Sequence, residues 1–232
     1  MLKTDSLLAL MSSHPDKAQE VILACCIEEP QNEYAHNDSL RLDENGFAFW
    51  HNHLPAMYFT GPWLLFLRTS PNVALEAIVR LIEFATDRWE EGYKAFTQSS
   101  ELPTFTILLD GTKKDFLGDG NVYNWHSYIS DRAVFVGSAI MALEKWFYER
   151  IDNKEDIADD LQQLLAESRS ASVLGLLVSV GLYHLPLFQG PLLPLFSSGD
   201  LFMVQRSAVM NTSWSFMFDI TWGRYGAKSA AE

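Results

Sequence analysis

Two stretches of the chain repeat one order of apolar and polar positions. Residues 7–23 read LLALMSSHPDKAQEVIL, and residues 63–79 read WLLFLRTSPNVALEAIV. A single shift aligns five pairs of residues: Leu8 with Leu64, Pro15 with Pro71, Ala18 with Ala74, Glu20 with Glu76 and Ile22 with Ile78. Each copy predicts an apolar helix, a polar break and a second helix that begins with proline, which the first helical turn tolerates. Residues 176–186 repeat the apolar helix and the following proline only.

Apolar residues at steps of three and four predict further helices. One helix has an apolar face of Leu75, Ile78, Ile82, Ala85 and Trp89, with Ser70 as its N-cap and Gly92 as its end. Later helices are predicted over 131–151, capped by Ser130, over 156–168, and from Ala171 onward.

A different period separates these helices. Residues 104–109 (TFTILL) are rich in β-branched residues, Asp110-Gly111 favours a tight turn, and residues 113–118 can return as a second strand. We therefore predict a mainly α fold, a stacked helix-hairpin (HEAT/armadillo-like) array with one inserted β-hairpin. The predicted organisation is a single domain over 1–232, with repeat units at 5–28, 62–92 and 130–190, the hairpin at 103–120 and a flexible tail at 223–232.

The composition is that of a folded protein, because 48% of the residues are hydrophobic and 20% are charged. The net charge is −13 at pH 7, and neither half of the chain carries a basic stripe. A nucleic-acid backbone would be repelled, so we expect no nucleic-acid partner.

The two cysteines, Cys25 and Cys26, are adjacent and fall within a helical apolar pattern. Neighbouring cysteines rarely bridge each other because the geometry is strained, so we expect both to be buried and reduced. The first residues lack the apolar core and cleavage site of a signal peptide. Together these features predict a cytoplasmic protein.

Residues 171–188 contain no Asp, Glu, Lys or Arg and raise the question of a membrane segment. The run extends for about 14 residues, to His184, and Pro186 follows soon after it. A helix that spans a membrane needs roughly 20 residues. We therefore expect a buried helix and no membrane partner.

Candidate chemistry is sparse. Gly118-Asp119-Gly120 lacks the third glycine and the lysine of a phosphate-binding loop and is typical of a turn. His51 and His53 could share a metal ion, but no third ligand is marked, so hydrogen-bonded or surface histidines are the simpler interpretation. The five carboxylates of 152–160 stand at a predicted helix start, where they favour the helix dipole. We predict no catalytic residue, no metal and no cofactor.

Aromatic residues offer the best candidates for binding. The long connection over 29–60 and the segment after the hairpin are both aromatic, and connections of this length are often functional. The residues that we expect to contact a partner are Phe49, Trp50, His51, Tyr58, Tyr123, Trp125 and His126. His126 with Trp50 and His51 could instead line a pocket, so the alternative is a small-molecule-binding protein or an enzyme that uses an aromatic and histidine pocket.

Residues 8–205 resemble the helical-repeat middle region of large bacterial multidomain proteins that carry an N-terminal P-loop (STAND-like) ATPase module. The resemblance rests on many short matches, among them SHPDKAQEVILACCIEEP, SAIMALEKWFYERID and SVLGLLVSVGLYHLPLF. It implies a sensor or scaffold within a bacterial defence or signalling ATPase, present here as a part of a longer protein or a short stand-alone relative. The ATPase motifs themselves are absent from this sequence, so it implies no ATP hydrolysis by this chain.

The expected function is therefore a non-enzymatic helical scaffold or protein-interaction module. Its expected partner is another protein or the rest of a larger multidomain assembly.

Overall fold

The computed structural model describes residues 4–27, 56–127 and 134–206. Within these ranges the chain is mainly helical with one two-stranded antiparallel sheet, which confirms the predicted fold class at that level. The elements in chain order are α1 (Thr4–Ser13), α2 (Pro15–Cys26), α3 (Trp63–Thr69), α4 (Pro71–Thr97), β1 (Thr104–Leu109), β2 (Thr112–Leu117), α5 (Gly120–Tyr123), α6 (Val134–Asp152), α7 (Ala158–Glu167), α8 (Ala171–Tyr183) and α9, described over 199–206.

The chain forms two helix pairs, α1 with α2 and α3 with α4. Within each pair a break of the same geometry separates the two helices. Pro15 begins α2 and Pro71 begins α4, as predicted. The preceding residues share one backbone conformation, with φ −144° and ψ 67° at His14 and φ −144° and ψ 74° at Ser70. Each of these two residues donates its N–H to the carbonyl oxygen four residues earlier over 2.8 Å. The first helix of each pair therefore ends in the same way.

Equivalent helices of the two pairs pack against each other, α1 on α3 and α2 on α4. The guanidinium of Arg80 on α4 lies 2.8 Å from the carboxylate of Glu20 on α2. The predicted capping role of Ser70 is wrong, because its hydroxyl makes no cap hydrogen bond with α4. It donates instead to the carbonyl oxygen of Met11 over 2.9 Å, so it ties the second break to α1.

Helix α4 runs past its predicted end at Gly92. The Glu90–Lys94 ion pair, at 2.6 Å, and the packing of Trp89 on Tyr93 both span this glycine and favour continued helix. The helix ends at Thr97, and the next residue, Gln98, has a φ of 53° and a ψ of 23°, in the left-handed region typical of helix C-termini.

The predicted hairpin is confirmed. β1 and β2 are antiparallel, and Leu109 is paired with Thr112 across the turn. Asp110 and Gly111 both have positive φ, 51° and 77°, as a two-residue turn between twisted strands requires. On the outer edge of β1, the N–H of Leu108 donates to the hydroxyl of Ser197 over 2.7 Å.

The hairpin is fixed to the connection between α7 and α8. The N–H of Leu117 on β2 donates to the carbonyl oxygen of Arg169 over 2.6 Å. The Lys114 ammonium donates to the carbonyl oxygens of Leu165 and Ala166, both at 2.6 Å, at the end of α7. These carbonyls have no partner within the helix, so the lysine satisfies groups that the helix leaves open.

Arg169 joins the same connection to α4. Its guanidinium nitrogens lie 3.2 Å from the carboxylates of Glu83 and Glu90 and also contact Asp87. Glu83 further accepts hydrogen bonds from the Ser168 hydroxyl at 2.6 Å and from the Arg169 N–H at 3.0 Å. One cation thus holds three carboxylates that lie along a single face of α4.

Helix α8 lies at the centre of the described fold and contacts α5, α6, α7 and β2. Nearly all of its residues are buried, which explains why it is apolar on every side. The predictions of α6, α7 and α8 are confirmed within a few residues at their ends, and Ser130 lies outside the described residues. None of the helices described here combines the length and hydropathy needed to cross a membrane.

Candidate interaction surfaces

The first group of predicted contact residues is only partly visible. Phe49, Trp50 and His51 lie outside the described residues. Tyr58 is half-buried, and its ring meets that of Phe59 edge to face at 5.1 Å. Phe59 is 65% exposed. The described end of the long connection therefore presents an aromatic ring to solvent beside a predicted contact residue.

A hydrogen bond holds this end of the connection on α6. The N–H of Met57 donates to the hydroxyl of Ser138 over 3.2 Å, and Ala56 and Met57 are both buried. The exposed ring of Phe59 therefore follows an anchored turn.

The second predicted group, Tyr123, Trp125 and His126, is buried in the core. Asp119 starts the short helix α5 by accepting the N–H groups of Asn121 and Val122, at 2.9 and 3.0 Å. This cap directs the three aromatic rings inward, toward α6 and α8. Their predicted role as contact residues stays a prediction, and it would require this part of the chain to open.

Tyr123 and His126 are in direct contact, whereas Trp50 and His51, which the sequence analysis grouped with His126, lie outside the described residues. The rings of Tyr123 and His126 meet edge to face at 5.7 Å, and Nδ1 of His126 donates to the carbonyl oxygen of Tyr123 over 2.8 Å. The Tyr123 hydroxyl donates to Gln205 on α9 over 2.8 Å. Tyr123 and His126 both contact Gly175 closely. A Cβ atom at Gly175 would stand 2.3 Å from the carbonyl oxygen of Tyr123 and 2.5 Å from Nδ1 of the His126 ring. Tyr123 and His126 are therefore tightly packed against α8.

The acidic run of 152–160 is organised by Arg150. Its guanidinium lies 3.0 Å from Glu155, contacts Asp160, and donates to the carbonyl oxygen of Asp156 over 2.8 Å. It also stacks over Trp146, 4.6 Å from the ring centre. Glu155 and Asp160 are therefore paired with Arg150, and Asp159 and Asp160 lie in the first turn of α7, the position that the helix dipole favours.

In the same run, the Tyr183 hydroxyl donates its proton to the carboxylate of Asp152, whose two oxygens lie 2.7 and 3.0 Å from the hydroxyl oxygen. Burial, together with the neighbouring carboxylate, raises the pKa of Tyr183 to about 12. This tyrosine therefore acts as a neutral donor at physiological pH and joins the end of α6 to the end of α8.

The described residues contain no group of three or more His, Cys, Asp or Glu side chains placed to hold a metal ion. His51 and His53, the pair considered for such a site, lie outside them.

The sequence analysis missed an apolar surface at the C-terminal end of the described chain. Over 182–203 it exposes large hydrophobic side chains, each between 51% and 63% accessible. We call these residues the C-terminal apolar surface: Leu182, Leu185, Leu193, Phe196, Phe202 and Met203. Large exposed apolar patches are typical of interaction sites.

Aromatic rings form the middle of this surface. The ring of Phe196 lies 5.3 Å from that of Phe188 and 5.8 Å from that of Phe202. Phe188 is held in place by close contact with Gly181, where a Cβ atom would stand 2.4 Å from the ring. Three aromatic side chains from consecutive short helical segments therefore line up.

Most of this surface is also free of charge, because residues 171–199 contain no Asp, Glu, Lys or Arg and Asp200 precedes only Phe202 and Met203. This run is visible in the sequence, but its first part is the buried helix α8 and its second part is the exposed surface. The signal that separates the two parts is the group of prolines at 186, 191 and 194, since proline stops helix α8 and brings the chain to the surface in 3₁₀ turns.

Comparison with known proteins gives no further guide to the site: no model of a protein family matches the chain, and no curated protein matches it in sequence.

Proposed function

We propose that this chain is a non-enzymatic helical scaffold, a HEAT- or armadillo-like array of helix pairs that binds another protein. The observation that carries the proposal is the matching geometry of the two helix pairs. His14 and Ser70 share one backbone conformation, each precedes a helix that begins with proline, and equivalent helices pack together. Arrays of this kind bury each unit against the next and present extended surfaces to partners.

A third break supports an altered third unit. Helix α8 ends at Tyr183, and His184 has φ −134° and ψ 86°, close to the values at His14 and Ser70. Pro186 follows two residues later, and 3₁₀ turns replace the second helix. The partial third repeat, residues 176–186, thus coincides with a break of similar backbone conformation.

The proposed contact surface is the connection between the two helix pairs. It contains Phe49, Trp50 and His51, and it reaches α3 through Tyr58 and the exposed Phe59. Aromatic side chains provide large contact areas at low entropic cost, which is why they are enriched at the centre of interfaces.

The proposed partner is another protein or the rest of a larger multidomain assembly, and the proposed setting is the bacterial cytoplasm. The resemblance to the middle regions of bacterial defence and signalling ATPases supports a sensor or scaffold role. ATP hydrolysis is no part of the proposal. The net charge of −13 supports a protein partner over a nucleic acid.

The experiment that tests this proposal is co-purification with the tagged 232-residue chain, with the recovered proteins quantified by mass spectrometry. The Trp50→Ala/Phe59→Ala variant is compared with the Phe96→Ala variant. Phe96, near the end of α4, is 64% exposed and so matches Phe59 in size and accessibility. We expect the double variant to lose the bound protein by about tenfold or more, because two aromatic anchors are removed.

The control variant should recover the same protein in wild-type amounts, and all three chains should have the same helical circular dichroism. Equal recovery by all three would contradict the proposed contact surface. Recovery of no protein by the wild-type chain would contradict the scaffold role itself.

A further inference from the structure

The C-terminal apolar surface is formed by other residues than the proposed contact region. We propose that this surface docks residues 208–222 of the same chain. The inference rests on the exposed side chains of 182–203 and on the sequence that follows them, so it is independent of the scaffold role.

The surface favours a partner whose contacting face carries no charge. Two of its neighbouring rings, Phe188 and Phe196, stand within residues 171–199, which contain no Asp, Glu, Lys or Arg, and the third, Phe202, follows Asp200. A charged segment laid against these rings would lose its hydration and gain no ion pair. An apolar segment gains free energy in proportion to the area that both sides remove from water.

Residues 208–222 have this chemistry. No Asp, Glu, Lys or Arg occurs between Arg206 and Asp219. Large apolar residues alternate along the segment at Trp214, Phe216, Phe218, Ile220 and Trp222. Three of the four residues between them are polar, namely Ser215, Asp219 and Thr221. A period of two places the large residues on one face of an extended chain and the polar ones on the other.

The segment also follows the surface directly in the chain. Phe202 and Met203 belong to α9, and Trp214 comes eleven residues after Met203. Residues 207–213 are enough to reverse the chain direction, since most connections between elements need about two to six residues. Asn211, Thr212 and Ser213 favour such a turn.

A second copy of the chain is a poorer occupant. A dimer formed through this surface would leave the apolar face of 208–222 uncovered in both copies. Each copy also carries a net charge of −13, so association works against repulsion. Contact within one chain covers both apolar faces and benefits from an effective concentration on the order of millimolar.

The test is hydrogen exchange of the full 232-residue chain, measured by mass spectrometry on peptides covering 208–222. We compare the wild type with Phe196→Ser/Phe202→Ser and with the control Phe96→Ser, which removes an equally exposed phenylalanine from α4. The expected result is slow exchange over 208–222 in the wild type and the control, and exchange about tenfold faster or more in the double variant. Sedimentation should give a monomer for all three chains.

A reciprocal variant protects the test against loss of folding. Trp214→Ser/Phe218→Ser alters only residues outside the described fold, and it should speed exchange over 193–204 while α6 and α8 keep wild-type rates. Fast exchange over 208–222 in the wild type would overturn the proposal. So would exchange over 208–222 or 193–204 that neither double variant changes. A wild-type dimer that Phe196→Ser/Phe202→Ser converts to a monomer, with 208–222 unaffected, would assign the surface to a second copy instead.

Discussion

The ammonium of Lys114 donates a hydrogen bond to the carbonyl oxygen of Leu165 over 2.6 Å, so a strand residue closes the end of helix α7. Burial lowers the pKa of this lysine from its usual value, but the hydrogen bonds to Leu165 and Ala166 use its charged form. We expect Lys114→Met to reduce the free energy of unfolding by about 1–2 kcal/mol, because two helix-terminal carbonyls lose a charged donor. Urea denaturation followed by circular dichroism measures the change.

The neighbouring Lys113 provides the matched control, since it is exposed on the same strand. Lys113→Met should change the free energy of unfolding by less than about 0.5 kcal/mol. Equal effects of the two substitutions would show that strand propensity, and not the helix end, determines the loss.

Replacement of Gly175 by alanine should destabilise the protein by about 1–3 kcal/mol, because the new Cβ atom would overlap the Tyr123 carbonyl and the His126 ring. Gly120→Ala is the control, since a Cβ atom there meets no atom within 4 Å. It should be neutral or stabilising by up to about 0.5 kcal/mol. Thermal unfolding of both variants measures the change in stability. A Gly175→Ala variant as stable as the wild type would refute the close packing of α8 on Tyr123 and His126.

The three carboxylates held by Arg169 predict a salt-dependent variant. In Arg169→Gln the carboxylates of Glu83, Asp87 and Glu90 lose their shared cation and repel one another along α4. We expect a loss of about 1 kcal/mol at low ionic strength that shrinks as sodium chloride screens the repulsion. Denaturation in low and high salt measures both values.

Arg88→Gln is the comparison for this variant, because Arg88 pairs with the single carboxylate of Glu91, at 2.7 Å, on the same helix. Its effect should be smaller at every salt concentration. A deficit in Arg169→Gln that does not change with salt would point to lost packing of the arginine side chain instead of charge.

The adjacent cysteines should differ in reactivity. Cys25 is exposed, which corrects the expectation that both are buried, whereas Cys26 is buried. Burial, with a smaller contribution from Cys25, raises the pKa of Cys26 to about 12. Its thiol therefore stays protonated at pH 8, and the thiolate that reacts with alkylating agents is almost absent.

Iodoacetamide at pH 8 should accordingly label the folded protein once, at Cys25, and the unfolded protein twice. The folded Cys25→Ser variant should remain unlabelled, and folded Cys26→Ser should react like the wild type. Rapid labelling of folded Cys25→Ser would mean that Cys26 is accessible and that α2 does not pack as described.

Local features of this fold were predictable from the sequence because they depend on neighbouring residues. Proline at the start of α2 and α4 suits a helix's first turn, and Asp110-Gly111 suits a two-residue hairpin turn wherever they occur. The alternating strands and the spacing of Leu75, Ile78 and Ile82 likewise carry their own periods. These signals located the helix pairs, the hairpin and α8.

Features that depend on distant contacts were not predictable. Gly92 suggests a helix end, yet side chains on either side of it continue α4, and Ser70 has a capping side chain that bonds to Met11 of another helix. The aromatic residues Tyr123 and Trp125 gave no sign of whether they face a partner or the core. The same ambiguity hid the C-terminal apolar surface, because an apolar run looks alike whether the fold covers it or leaves it open.

The contact between Leu108 and Ser197 protects the hairpin from other chains. An edge strand offers free N–H and C=O groups onto which a foreign strand can add, and this is how many proteins begin to aggregate. Here residues 193–197 lie along the edge of β1, and the Ser197 hydroxyl accepts the Leu108 N–H, although Ser197 comes 89 residues later in sequence. A shortened chain that ends before residue 193 would keep every residue of the hairpin and yet acquire an open edge, and so become prone to intermolecular sheet formation.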